Sequence, residues 1–157
     1  MLTVHQPTFF SRNLVLYDGD SPVAEIGFRF MSGTADFRIG AATYTAIRKG
    51  WLSEVYSLHQ DGSVVSRADR VGFWRRAYEI HSGGSLVTLR RKSGWFESGW
   101  DLFDGDLPVG SVTRKGFFQT ETIADFPDSI DLATQVFIVW LANVLWQQDQ
   151  AAAAAAA

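Results

Sequence analysis

At 157 residues, with 46% hydrophobic and 14% aromatic content, the chain suffices for one domain with a real core and is too apolar for a disordered chain. It has no cysteine, which excludes disulfides, thiolate nucleophiles and Cys-bearing zinc or iron–sulfur sites. A net charge of −3 hides a segregation: residues 1–66 hold five basic and six acidic side chains, residues 67–92 seven against two, and the remainder two against nine.

Met1 to Phe10 has no basic stretch followed by an apolar run, so it does not read as a secretory signal, and the expectation is a cytoplasmic protein. From there the runs between turn signals give eleven candidate strands, near 9–17, 23–30, 35–39, 42–48, 52–59, 63–68, 73–81, 85–91, 95–103, 108–114 and 117–123. Alternation is clear around Tyr78 and Ile80 and around Val87 and Leu89, as for an antiparallel sheet with one buried face.

The strands carry an internal repeat. Leu16-Tyr17-Asp18-Gly19-Asp20-Ser21-Pro22-Val23 returns 86 positions later as Leu102-Phe103-Asp104-Gly105-Asp106-Leu107-Pro108-Val109. A looser copy, Leu58-His59-Gln60-Asp61-Gly62-Ser63-Val64-Val65, lies between, so the three Asp-Gly pairs fall 43 residues apart. Asp-Gly between β-rich runs is a hairpin signal, because glycine accepts a positive φ without a Cβ clash. Three equivalent hairpins and a pseudo-two-fold repeat are expected. No amphipathic helix separates the strands, which argues against βαβ crossovers.

At Phe126-Pro127-Asp128-Ser129 the pattern changes. Pro127 stops a strand, and Asp128 or Ser129 is placed to cap a helix expected over about 129–147. From Ile130 to Trp146 its apolar residues cover every side, so it is buried either in protein or in a membrane. Seventeen residues at ~1.5 Å each reach about 25 Å, short of the roughly 30 Å of a bilayer core, and Asp131 and Gln135 disfavour lipid. Burial inside a barrel is therefore expected, with no transmembrane span. A barrel radius of about 1 Å per strand leaves room for a helix only at eleven or twelve strands. Residues 1–150 form this one domain. The run Ala151–Ala157 has no packing pattern and is set outside the fold as an appended tail or residues of unassigned identity.

A many-stranded antiparallel barrel with internal repetition, ending in a proline-marked turn and one hydrophobic helix, resembles the tubby C-terminal-like superfamily, which includes LURP-one-related proteins and phospholipid scramblases. The resemblance spans about residues 9–148. It is carried by the Asp-Gly hairpins, by Gly94-Trp95-Phe96-Glu97-Ser98-Gly99-Trp100-Asp101-Leu102 and by Phe137-Ile138-Val139-Trp140-Leu141. It implies a twelve-stranded closed barrel around a central helix, a binding protein and not an enzyme, and partners among phosphoinositides or membranes.

Among the residues that carry chemistry, the basic segment leads. Arg75, Arg76, Arg90, Arg91 and Lys92 are the candidate anion-binding residues, since Arg and Lys near a turn can converge on a phosphorylated headgroup. The bland reading is a solvated rim paired with Glu79 or Asp101. Asp18/Asp20 and Asp104/Asp106 supply too few ligands for calcium and read as hairpin turns. His5, His59 and His81 lack metal or catalytic spacing, no Gly-x-Ser-x-Gly elbow occurs, and Gly83-Gly84 lacks the Lys-Ser/Thr of a phosphate loop. No catalytic residue, metal or cofactor is assigned, and the acidic total argues against nucleic acid.

The expectation is a non-enzymatic binding or scaffold domain that engages an anionic phospholipid, a membrane surface or an unidentified protein through an outer basic patch. The alternatives are a small-molecule-binding barrel with an apolar lumen and the helix packed outside, or an enzyme without a recognisable motif.

Overall fold

The computed structural model describes residues 1–6, 13–29, 33–50, 54–72, 76–92, 98–115 and 121–157. In chain order it has β1 (Leu2–His5), β2 (Asn13–Asp18), β3 (Ser21–Phe28), β4 (Thr34–Ile39), β5 (Ala42–Lys49) and β6 (Val55–Gln60). There follow β7 (Ser63–Val71), β8 (Ala77–Ser82), β9 (Ser85–Arg91), β10 (Gly99–Asp104), β11 (Leu107–Arg114), β12 (Glu121–Asp125) and the helix α1 (Leu132–Ala155). Every strand pairs antiparallel with its sequence neighbours, and β1 also pairs with β12, so the sheet closes into a twelve-stranded barrel.

The strand missing from the sequence reading is β1. Leu2 and Val4 point into the core, but two buried positions are too short a run to register as a strand by periodicity. Leu2 faces Asp18 on one side and Ala124 on the other, and this strand closes the ring.

The three expected hairpins are present and share a β-bulge. In β2–β3, Leu16 pairs with Ala24 and Tyr17 with Pro22, leaving Val23 as the extra residue. In β6–β7 the extra residue is Val65, and in β10–β11 it is Val109. A bulge is where a sheet tolerates proline, which explains Pro22 and Pro108 inside a closed ladder. The bulges also show that the equal 43-residue spacing is one residue out of structural register. The turns are Gly19-Asp20 and Gly105-Asp106 in the outer copies but Asp61-Gly62 in the middle one, where both residues have positive φ, 50° and 79°.

α1 runs through the lumen. Val136 to Ala142 and Leu145 are buried, and Trp140 packs edge-on against Phe37 and Tyr56 at 6.1 and 5.8 Å and stacks on Phe137 at 5.8 Å. A helix-filled lumen leaves no central space for an apolar ligand, so an open-lumen barrel with the helix outside is not this architecture.

The helix begins three residues later than expected. Ile130 donates its amide to the Pro127 carbonyl in a turn, and Asp131, not Asp128 or Ser129, caps the helix by accepting from the Thr134 amide at 3.0 Å. Thr134, buried, anchors this end: its hydroxyl lies 2.8 Å from Ser66 Oγ, 2.7 Å from Ser82 Oγ and 2.7 Å from Asp131 Oδ2. At the other end the helix continues through the alanine run to Ala155, with Gln147 and the alanines exposed.

Candidate functional site: the arginine mouth of the barrel

Antiparallel up-and-down connectivity gives the barrel two different ends. The described two-residue turns, together with the connection from β12 into α1, lie at the end where the helix starts. Asp18, Asp20, Asp61, Asp104, Asp106, Asp125, Asp128 and Asp131 are all at or beside these connections, with Arg38 the nearest described cation in sequence. The opposite end, where α1 leaves, is basic.

Strand parity places the basic side chains there. Each of four arginines follows a buried residue by two positions and so shares its inward face: Arg48 after Ala46, Arg70 after Ala68, Arg91 after Leu89 and Arg114 after Val112. Arg76 stands two before buried Tyr78. All five fall at the strand ends where the helix exits, and among the described residues only Glu54 and Asp149 pair with them.

Both carboxylates serve one half of the mouth. Glu54, its side chain 14% exposed, pairs with Arg70 at 3.4 Å and accepts from Tyr78 Oη at 2.6 Å. Asp149, on the last polar turn of α1, pairs with Arg76 and, at 3.3 Å, with Arg91. Beside them Gln148 donates to Tyr56 Oη at 3.1 Å. Burial raises the pKa of both tyrosines, and for Tyr78 the bond to Glu54 adds to the effect, so each phenol is held neutral.

Among the described residues the other half has no such acid. Arg48 and Arg114 line a cavity of about 520 Å³ together with Phe28, Trp140, Asn143 and Gln147. Arg48 Nε is buried and has no hydrogen-bond partner among the described residues. Arg114 lies 5.0 Å from the Trp146 ring centroid in a cation–π contact, and burial lowers its pKa, with no carboxylate among the described residues paired to it. Trp140, Val144, Gln147 and Ala151 recur at i, i+4, i+7 and i+11, so one helix stripe forms the cavity wall while Asp149 sits on the opposite side.

The sequence-expected residues divide by the same parity. Arg76 and Arg91 are at the mouth, both on Asp149. Arg90 faces outward, its guanidinium 4.5 Å over the Phe103 ring. Lys92 lies 3.6 Å from Asp101 and 3.5 Å from Thr113 Oγ1. Arg75 lies outside the described residues, as do Gly94 to Glu97 of the tubby-like segment. Among these five, then, the described ones do not gather on one free outer face. Arg48 and Arg114 escape a search for basic runs because each sits in a two-residue pair, Arg48-Lys49 and Arg114-Lys115, outside the basic segment 67–92. The signal that could have found them is an arginine two positions beyond an apolar residue at the end of several strands of the same direction.

A larger cavity, about 680 Å³, lies on the outer wall over β2–β6. Its polar groups are paired off locally: Asn13 and Arg38 on Glu25, Thr45 on Asp36, and His59 Nε2 at 2.8 Å from Ser57 Oγ. Among the described residues no carboxylate orients His59, so Ser57 and His59 stop short of a triad. Among the described residues no helix is long and apolar enough to cross a membrane. Comparison with family models, curated proteins and solved structures finds no match, and the mouth stands on its own geometry.

Proposed function

We propose that this chain is a non-enzymatic, tubby-like or LURP-one-like binding domain, cytoplasmic and peripheral to membranes, that docks its helix-exit end on a surface of anionic phospholipid. The observation that carries this reading is the cation surplus of that end, among the described residues five inward-facing arginines against two carboxylates, set against the aspartate-rich opposite end. Such a dipolar charge distribution orients a protein on a negative surface, each basic side chain near it contributing about 1 kcal/mol.

Sequence adds a second support. In the sequence, six of the stretches between strands hold two adjacent large apolar residues, Phe9-Phe10, Phe30-Met31, Trp51-Leu52, Phe73-Trp74, Trp95-Phe96 and Phe117-Phe118, whereas the five two-residue turns hold only glycine, aspartate and alanine. A sequence that combines such pairs with a basic set has the composition favoured at a lipid–water interface.

Co-sedimentation with vesicles tests the reading. Wild type is expected to pellet with phosphatidylserine-containing vesicles and not with neutral phosphatidylcholine, and to be released by salt. A variant with Arg90, Arg91 and Lys92 changed to Ser is expected to bind more weakly. Failure of wild type to bind anionic vesicles at low salt would sink the membrane reading, and equal binding by the variant would remove β9 from the docking face.

A further inference from the structure

We propose that the half of the mouth with no acid among the described residues is a pocket for one small anionic amphiphile, its oxyanion held between Arg48 and Arg114 and its apolar chain laid on Phe28, Trp140 and Val144. This deepens the anion-binding reading and does not depend on its membrane part, because the ligand enters singly from solution.

The cavity volume, about 520 Å³, falls within the roughly 300–1,000 Å³ of small-molecule sites. Its lining is of two kinds, aromatic and aliphatic on the floor and the helix stripe, cationic at the rim. A ligand with a charged head and an apolar tail matches both.

The arginines themselves make the stronger argument. Arg70, Arg76 and Arg91, on the same ring of inward positions, each have a carboxylate within 3.4 Å. The third arginine lining the cavity, Arg29, is exposed and held in a two-point contact by Asp36 at 2.7 and 2.8 Å. Arg48 has a buried Nε with no acceptor, and Arg114 is half buried against Trp146. A buried guanidinium N–H without an acceptor is costly and survives where something else offsets it. An oxyanion offers the missing acceptors, and each guanidinium can present two parallel N–H groups to it. Carboxylate and phosphate share this chemistry, and the probes below distinguish them.

The test uses the full chain, without vesicles, titrated with octyl phosphate, octanoate, octanol and inorganic phosphate, with tryptophan fluorescence and calorimetry as readouts. Octyl phosphate and octanoate are expected to bind with one-to-one stoichiometry, the tighter of the two naming the headgroup. Octanol, lacking the charge, and inorganic phosphate, lacking the tail, are expected to bind at least about tenfold more weakly. Arg48→Gln and Arg114→Gln are each expected to lower affinity about tenfold or more while leaving the melting temperature of the free protein unchanged or higher. Arg76→Gln, on the acid-matched half, is expected to leave affinity within about twofold.

Octanol binding as tightly as octyl phosphate would overturn the proposal, and so would wild-type affinity in a folded Arg48→Gln/Arg114→Gln double variant. The two readings fail separately: binding of octyl phosphate without vesicle pelleting removes the membrane surface alone, and vesicle pelleting without octyl phosphate binding removes the pocket alone.

Discussion

The two halves of the mouth are built from one residue type on one ring of inward strand positions and differ in what faces it. On the β6–β9 side, Glu54 and Asp149 meet Arg70, Arg76 and Arg91, and the helix end is drawn against the wall. On the side from β11 round to β5, Arg48 and Arg114 meet amides, aromatic rings and a cavity. A matched arginine is part of the structure, whereas an unmatched one is a standing cost that marks a place where the fold has kept something back. The contrast is internal to one ring of inward strand positions.

Both halves rest on Trp140, and the largest effect is expected there. Trp140→Ala removes a ring that packs on Phe37, Tyr56 and Phe137, and about 3–5 kcal/mol of unfolding free energy should be lost in urea titration. Breaking the matched side comes next. Glu54→Gln leaves Arg70 without its carboxylate and weakens the bond from Tyr78, for an expected loss of about 1–3 kcal/mol. Asp149→Asn is expected to cost less, about 1 kcal/mol, and to lose its effect in high salt, because Arg91 and Asp149 are partly exposed and screened.

The unmatched side should respond with the opposite sign. Arg114→Met keeps the stem packed beside Trp146 and removes a desolvated charge, so the free protein is expected to gain up to about 1 kcal/mol, read as a rise of about 2–4 °C in melting temperature. A destabilisation equal to that of Asp149→Asn would erase the distinction between the halves.

The matched side also has a pH signature. Tyr56 and Tyr78 have pKa values raised above the ordinary 10.0, first by burial. The unfolded chain ionises these phenols at the lower value. Their contribution to stability is therefore fully present below about pH 10 and declines as pH rises through the unfolded value toward the folded one. Phenolate absorbance followed during alkaline titration is expected to show these two tyrosines ionising together with loss of tertiary structure. Ionisation of both well below that transition would contradict the arrangement.

Much of the fold was legible because its strongest signals are local. Asp-Gly turns announce hairpins, and a helix apolar all round requires a wall around it. The bulges at Val23, Val65 and Val109 were not legible, since each lies two residues into its strand, where too few residues precede it for a break in alternation to show. The helix cap moved to Asp131 because Ile130 is taken up in a turn with Pro127, a competition that propensity does not weigh. The site was less legible than the fold. Runs such as Arg90-Arg91-Lys92 attract notice through adjacency, yet adjacent strand residues face opposite ways, and Arg90 and Arg91 end on different surfaces. Arg48 and Arg114 lie 66 positions apart in number and meet only once the ring is closed.

Closure of that ring by β1 and β12 has a kinetic side. Leu2 must find Ala124, near the far end of the sheet, and a finished ring would have to admit Phe137, Trp140 and Trp146 past its rim to take in the helix. The sheet must instead wrap around α1, so the last strand, the first strand and the helix come together in one late event. Refolding is then expected to be slow for a chain of this size, milliseconds to seconds, as for other folds dominated by distant pairings. A nascent chain would stay open along its β1 edge until its final helix was available to wrap.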